Sequence, residues 1–276
     1  MKRIAFVDYY LGNWHADNYP AWIREAASEL GVEITLYGAY AKREVSPVNG
    51  VTTDDWCKEK RVKRFDDLDA LCREADAIVI LAPSDPEEHL PLAREAFKHG
   101  KPTYIDKTFA PDLKTAQEIF ALASEYSVPF FSTSALRYAT ELSGMQARER
   151  VDICGGGRTM EEYVIHQIEM LTLLSGGEPV FAEACVTEGK TTVTLGLSDG
   201  ITASLTHSPE LAFSVSTDGK EAVEITSSFF NGLIREMVRF LDTGVLPFDP
   251  NETLRAMRLR DAALLAASRP GEKITL

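Results

Sequence analysis

The stretch Ala75–Phe109, ADAIVILAPSDPEEHLPLAREAFKHGKPTYIDKTF, decides the fold. Ala77–Leu81 is an unbroken apolar run of strand length, the pattern of a strand covered on both faces in a parallel sheet. Glu87–His99 follows with apolar residues at helical spacing and stops at Gly100, and Pro102–Asp106 opens another strand. Strand, helix and strand in so short a span make a βαβ unit.

The same alternation extends in both directions. Towards the amino terminus, Asp66–Glu74 predicts a short helix, Val32–Tyr37 a strand, Tyr19–Leu30 a helix stopped by Gly31, and Ile4–Val7 a buried strand. Towards the carboxyl terminus, Leu113–Tyr126 predicts a helix and Val128–Ser132 a strand. Residues 1–134 therefore read as a doubly wound parallel sheet. The alternation stops over Leu136–Cys154, where QARERVDICGGGR marks a domain boundary. Met160–Leu174 predicts a helix, and the runs Val180–Glu188, Thr191–Leu197, Ile201–His207, Ala212–Ser216 and Ala222–Thr226 predict an antiparallel meander turning at Asp199-Gly200 and Asp218-Gly219. Phe229–Asp242 and Asn251–Ser268 close the chain as helices, the second capped by Asn251. Residues 135–276 thus form an α+β domain with an open, mainly antiparallel sheet, and residues 251–268 are allowed to pack back on the first domain.

With 276 residues the chain has room for two such domains, and 45% hydrophobic with 26% charged residues is a globular composition. The net charge of −13 repels phosphate backbones and anionic membrane surfaces, which excludes nucleic acid and membrane as partners. Cys57, Cys72, Cys154 and Cys185 lie far apart, with no C-x-x-C and no histidine at ligand spacing, so four thiols are expected and no metal site. Asp8 interrupts the first apolar run short of signal-peptide length, and no window of about 18 apolar residues exists. A cytoplasmic location is expected.

Open α/β sheets bind ligands beyond the carboxyl ends of their strands, where the strand order reverses. The segment after the first strand is Asp8-Tyr9-Tyr10-Leu11-Gly12-Asn13-Trp14-His15. A dinucleotide loop wants G-x-G-x-x-G, and Gly12 supplies one of those glycines. The second strand leads to Lys42-Arg43, basic residues where NAD enzymes place an acid against the ribose, so a bound cofactor is expected to be NADP ahead of NAD. The competing reading of Lys42 and Arg43 is a solvated loop pair. Ile105-Asp106-Lys107-Thr108 ends a strand, where a lysine can polarise a substrate oxygen or donate a proton, or else cap a turn. Glu162 and His166 are four apart on one helix and make an acid–base pair, with Tyr163 beside them; the alternative is a packed histidine. Trp14, Trp22 and Trp56 read as packing or surface aromatics, His99 and His207 as structural, and KEKRVKR over Lys58–Arg64 as a solvated face.

The stretch Ala75–Tyr138 resembles the Gfo/Idh/MocA oxidoreductases. In that family a strand ending in proline is followed by a histidine, then G-K ahead of a strand ending in E-K-P; here these are Ala82-Pro83, His89, Gly100-Lys101 and Asp106-Lys107-Thr108. Glu236–Gly244, Pro247, Glu252-Thr253-Leu254 and Asp261-Ala262-Ala263 resemble its closing helices. The resemblance implies a Rossmann domain, a carboxyl-terminal domain that pairs subunits as a homodimer or homotetramer through its open sheet, and hydride transfer between NAD(P) and a sugar-like or polyol alcohol. It places Lys107 and His166 at the catalytic lysine and histidine, Glu162 where an aspartate usually stands, and His15 with Gly12 in a G-x-x-H pattern. Asp8, Tyr9, Gly12, Asn13, Trp14, His15, Lys42, Arg43, Ala82, Pro83, His89, Asp106 and Lys107 are the cofactor-side candidates it implies. The sequence departs from the family at Val7-Asp8-Tyr9, which replace the first two glycines, at Thr108 in place of proline, at Glu162, in a short segment between Tyr138 and His166, and in the register of Gly155-Gly156-Gly157. The leading expectation is an NAD(P)-dependent oxidoreductase acting on CH–OH groups. Its rivals are a cofactor-free ligand-binding or regulatory protein of the same descent, and redox-neutral chemistry on a held nucleotide.

Overall fold

A computed structural model describes residues 1–276. The chain forms two units, residues 1–133 with 233–250, and residues 134–232 with 251–276.

The first unit runs β1 (Lys2–Asp8), α1 (Trp14–Leu30), β2 (Ile34–Ala41), α2 (Thr53–Lys60), β3 (Lys63–Arg64), α3 (Leu68–Glu74), β4 (Ala77–Ile80), α4 (His89–Ala96), β5 (Thr103–Ile105), α5 (Leu113–Glu125) and β6 (Phe130–Phe131). Its sheet has the order β3-β2-β1-β4-β5-β6, with every pairing parallel. The order reverses between β1 and β4, which places a ligand crevice beyond their carboxyl ends. Ala5, Phe6 and Val7 in β1 and Ile78, Val79 and Ile80 in β4 are wholly buried, as central strands with both faces covered require.

The first unit differs from the sequence reading at the start of α1 and in α2 and β3, to which that reading assigns no element. Helix α1 begins at Trp14 rather than Tyr19, because the Asn13 side chain accepts the Ala16 N–H at 2.9 Å and caps it. Pro20 therefore sits inside the helix, costing one backbone hydrogen bond that the cap offsets in part. Helix α2 precedes the basic stretch Lys58–Arg64 and overlaps only its first three residues: Thr52 caps it and Trp56 and Cys57 turn inward, while none of Lys58–Arg64 is buried. The Trp56 indole donates to Asp17 at 2.9 Å.

The second unit contains β7 (Arg150–Gly155), α6 (Met160–Leu174), β8 (Pro179–Thr187), β9 (Lys190–Leu197), β10 (Thr202–His207), β11 (Ser214–Thr217) and β12 (Val223–Glu224). Helix α7 (Phe229–Thr243) leads out of it, and α8 (Asn251–Ala267) with β13 (Lys273–Thr275) returns. The sheet order is β12-β11-β7-β10-β9-β8-β13. Strand β7 lies in the segment read as an irregular boundary; Val151 and Ile153 point inward while Arg150, Asp152 and Cys154 point out, a period of two hidden by the charged outer face. It pairs parallel to β10 and antiparallel to β11, so the sheet is mostly antiparallel but not a simple meander.

Helices α6 and α8 cover one sheet face, over Val151, Ile153, Ala182, Ala184, Val193, Leu195, Ala203 and Leu205. Residues 251–268 thus stay with the second unit rather than joining the first. Arg255 explains the docking: buried in α8, it donates to the carbonyls of Ser175 at 2.7 Å and Thr172 at 2.9 Å, orphan acceptors at the end of α6. The segment that returns to the first unit is the end of α7, where Phe240 stacks edge-on against Phe131 with ring centres 4.9 Å apart. No helix is long and apolar enough to cross a membrane.

Candidate active site

In the first unit, the carboxyl ends of β1, β4 and β5 gather a polar cluster inside an otherwise apolar sheet. Asp106 and Lys107 follow β5. The Lys107 ammonium donates to the Pro83 carbonyl at 2.8 Å, and its side chain is nearly buried; the Lys107–Thr108 peptide is cis. Asp106 hydrogen-bonds through Oδ2 to Nδ1 of His15, while Oδ1 accepts the Lys107 N–H at 2.9 Å and the Tyr104 hydroxyl at 3.1 Å. Burial alone would lift the Asp106 carboxyl, but His15 and Lys107 outweigh it and hold the group below the usual carboxylate range. Asp106 is therefore a buried carboxylate joining the first helix to the lysine. His89 is wholly buried, its ring nitrogens on the carbonyls of Phe109 and Leu81, and burial lowers its pKa. It clamps the chain after Lys107 to the end of β4.

The loop after β1 is organised by its own aspartate. Asp8 is fully buried and accepts the N–H groups of Tyr9 at 2.8 Å and Ala82 at 2.9 Å, together with the Asn13 amide at 2.9 Å. Burial outweighs these bonds and raises its pKa to about 8, so the carboxyl is largely uncharged at neutral pH. Ala82, at φ +56°, is turned so that its N–H meets Asp8. Gly12 has φ +78° and abuts a segment the sequence reading passed over: Ser46 Oγ donates to the Gly12 carbonyl at 3.1 Å, and a Cβ on Gly12 would lie 3.0 Å from Asn49 Oδ1. Trp14 stands half-exposed at the start of α1, edge-on to Trp22 and His15. Lys42 is paired with Glu88 at 2.6 Å and lies over the Tyr9 ring, while Arg43 is exposed and its N–H donates to the Tyr9 carbonyl at 2.7 Å.

In the second unit, α6 presents His166. Its Nδ1 lies 2.5 Å from Ser134 Oγ, a partner with no signal in the sequence beyond the polar run Ser132-Thr133-Ser134. Either polarity of that bond suits a hydroxyl, which leaves Nε2 able to carry a proton or accept one. The rings of Tyr163 and Phe213 flank the imidazole at 5.5 and 5.7 Å between centres. The glycine run admits both: a Cβ on Gly157 would sit 2.1 Å from the Tyr163 ring, and one on Gly155 2.4 Å from Phe213. Arg158 holds the Glu162 carboxylate at 2.7 Å.

Comparison with known proteins shows what this chain is similar to. Residues 27–134 match the Gfo/Idh/MocA family profile, described as an oxidoreductase family with an NAD-binding Rossmann fold. The likeness is to that family's Rossmann domain, over 108 of the 276 residues. The match to this domain begins beyond the loop of Asp8–Gly12, where the chain departs from the glycine pattern. Among solved structures, the chain is similar to UDP-N-acetylglucosamine 3-dehydrogenase of Acidithiobacillus ferrooxidans at 18% identity and TM-score 0.71, covering 98% of this chain and 97% of that one. It is similar to myo-inositol 2-dehydrogenase of Lactobacillus plantarum at 16% identity and TM-score 0.71, covering 100% and 99%. An oxidoreductase from Agrobacterium radiobacter, in complex with NAD+, L-tartaric acid and magnesium, aligns at 14% identity and TM-score 0.75 over 99% and 98%. At these identities the likeness is one of fold. No curated protein sequence matches.

A dinucleotide fits the donor chemistry of the crevice beyond β1 and β4. The strand order reverses at β1 and β4, Gly12 takes the left-handed turn that leads into a capped α1, and the Asp8 carboxyl carries little charge that would oppose a pyrophosphate. Tyr9 replaces a glycine in that loop.

Proposed function

We propose that the chain is an NAD(P)-dependent dehydrogenase of a sugar-like or polyol alcohol, with Lys107 and His166 as its acid–base groups. The observation that carries this reading is Lys107: a nearly buried ammonium at the carboxyl end of β5, fixed by the Pro83 carbonyl in the crevice of a sheet ordered for dinucleotides. The names of two similar structures, which act on UDP-N-acetylglucosamine and myo-inositol, support a hydroxylated ring as substrate.

The residues after β1, with Gly12, Asn13 and the start of α1, would hold the pyrophosphate, and the Pro83–Lys107 wall the nicotinamide. When bound, that ring supplies the hydride acceptor. Lys107 donates a hydrogen bond to the alcohol oxygen and stabilises the charge that develops there. Nε2 of His166 takes the hydroxyl proton in one direction and returns it in the other, with the imidazole set by Ser134 and the flanking rings. Asp106 and His15 act one layer out by fixing the chain that bears Lys107. Tyr163 flanks His166 from the same helix, whereas the Glu162 carboxylate, expected from the sequence to pair with His166, is held by Arg158. A second copy on the polar outer sheet face of the second unit, with Thr192, Thr194, Thr202, Ser204 and Thr206, is the expected assembly.

One observation favours a cofactor-free rival: Tyr9 stands where backbone would approach a pyrophosphate. A turnover screen with NAD+ and NADP+ against polyols, aldoses and nucleotide sugars tests the enzyme reading. Lys107→Met and His166→Gln should each lower turnover about a hundredfold or more while NADH binding persists. Turnover unchanged by both substitutions contradicts the assignment.

A further inference from the structure

We infer that Glu88 is the ribose-recognising acid of this crevice and that it selects NAD over NADP. The inference rests on the dinucleotide reading above. Rossmann crevices read the adenine ribose at the end of the second strand, where an acid accepts from the 2′-hydroxyl. Strand β2 of this chain ends without an acid, in Tyr40-Ala41-Lys42-Arg43. Its end is fastened beside the first loop, since the Lys42 N–H donates to the Asp8 carbonyl at 3.1 Å and the Arg43 N–H to the Tyr9 carbonyl at 2.7 Å. That holds Lys42 just beyond the end of β2, beside the first loop.

The acid arrives from another element. Glu88 ends the 3-10 turn Pro86–Glu88 between β4 and α4, and its Oε2 lies 2.6 Å from Lys42 Nζ. The Glu88 side chain is only 15% exposed against 47% for Lys42, so the carboxylate is the more buried partner and the lysine the one open to solvent. The same ammonium lies 5.8 Å from the centre of the Tyr9 ring, the residue in place of the loop glycine. A ribose hydroxyl can donate to Glu88 while Lys42 stays paired. A 2′-phosphate cannot be accommodated so simply: it either draws Lys42 away and leaves Glu88 facing a dianion, or meets Glu88 directly. The basic Lys42 is thereby neutralised as a 2′-phosphate ligand, and the negative Glu88 discriminates against one.

Fluorescence titration of the nucleotide-stripped full chain with NADH and NADPH tests this, using the wild type, Glu88→Gln, Lys42→Met and the double variant. Wild type should bind NADH more tightly than NADPH. Glu88→Gln keeps the shape and removes the charge, so the NADPH Kd should tighten about tenfold relative to NADH, a magnitude set by one like-charge contact in a partly screened site. Lys42→Met should leave NADH within about threefold and abolish the NADPH gain in the double variant, because the freed lysine is what binds the phosphate. A merely structural Glu88 would move both nucleotides together. A wild-type preference for NADPH, or an NADH-to-NADPH ratio that Glu88→Gln leaves within about twofold, overturns the inference alone. Failure of the wild type to bind either nucleotide near millimolar concentration removes the dinucleotide reading, and the inference with it.

Discussion

Asp8 should make the first unit less stable as pH rises through neutrality, and Asp8→Asn should abolish that slope. The side chain is fully buried, and although three N–H donors reach it, burial dominates and sets its pKa at about 8. An exposed aspartate titrates near 4. The folded chain therefore holds a proton that the unfolded chain has released between these values, so the stabilisation is complete below about pH 4 and is lost as pH rises towards about 8. The slope is at most about 1.4 kcal/mol per pH unit for one proton, or roughly 2–3 kcal/mol between pH 5.5 and 7.5. Asparagine keeps a carbonyl for the N–H groups of Tyr9 and Ala82 but cannot titrate. Native-state hydrogen exchange at the Phe6 and Val7 amides, measured at pH 5.5, 6.5 and 7.5, reads the opening of β1 directly. The stability difference between wild type and Asp8→Asn isolates Asp8, because Asp106 and every other carboxylate occur in both proteins. A difference that falls by about 2–3 kcal/mol over this range is expected; one that stays constant with pH refutes a protonated Asp8.

Two further substitutions probe the second unit. Arg137 is buried against Glu169 at 3.4 Å and also pairs with Glu252, so Arg137→Met should destabilise the unit by about 3–5 kcal/mol in urea denaturation, and Arg137→Met with Glu169→Gln by clearly less; equal losses would deny that the stranded carboxylate is the cost. Gly157 has φ +137° and lies against the Tyr163 ring, so Gly157→Ala should cost about 2 kcal/mol or more and lower turnover with it, while NADH affinity is unchanged. An alanine variant of wild-type stability would show that the close approach is not required.

How much of this was legible depended on where each signal lay. The first unit follows from local patterns: Ala77–Ile80 is apolar throughout because both sheet faces are covered, and Gly31 and Gly100 stop helices in the left-handed conformation they are suited to. Helix α2 and strand β7 were obscured by charge, since each turns a few apolar residues inward and a polar face outward. The parallel pairing of β7 with β10 joins residues about fifty apart, and no local pattern reports such a partnership. Likewise Lys107 and His166 stand out by position along their elements, whereas the bonds from Asp106 to His15, from Ser134 to His166 and from Glu88 to Lys42 join distant segments that only the folded chain brings together. The docking of α8 within the second unit likewise depends on a distant partner, because Arg255 answers to carbonyls at the end of α6.

The most direct test of the central claim is equilibrium binding of NADH to the purified chain, stripped of nucleotide and followed by energy transfer from tryptophan to the nicotinamide. Half-exposed Trp14, at the start of the helix that would receive the pyrophosphate, is well placed as donor. The account predicts saturable binding in the micromolar range or tighter that Lys107→Met leaves in place. No saturation near millimolar NADH or NADPH would contradict it, leaving a Rossmann domain whose first loop has closed on its own Asp8 and Tyr9.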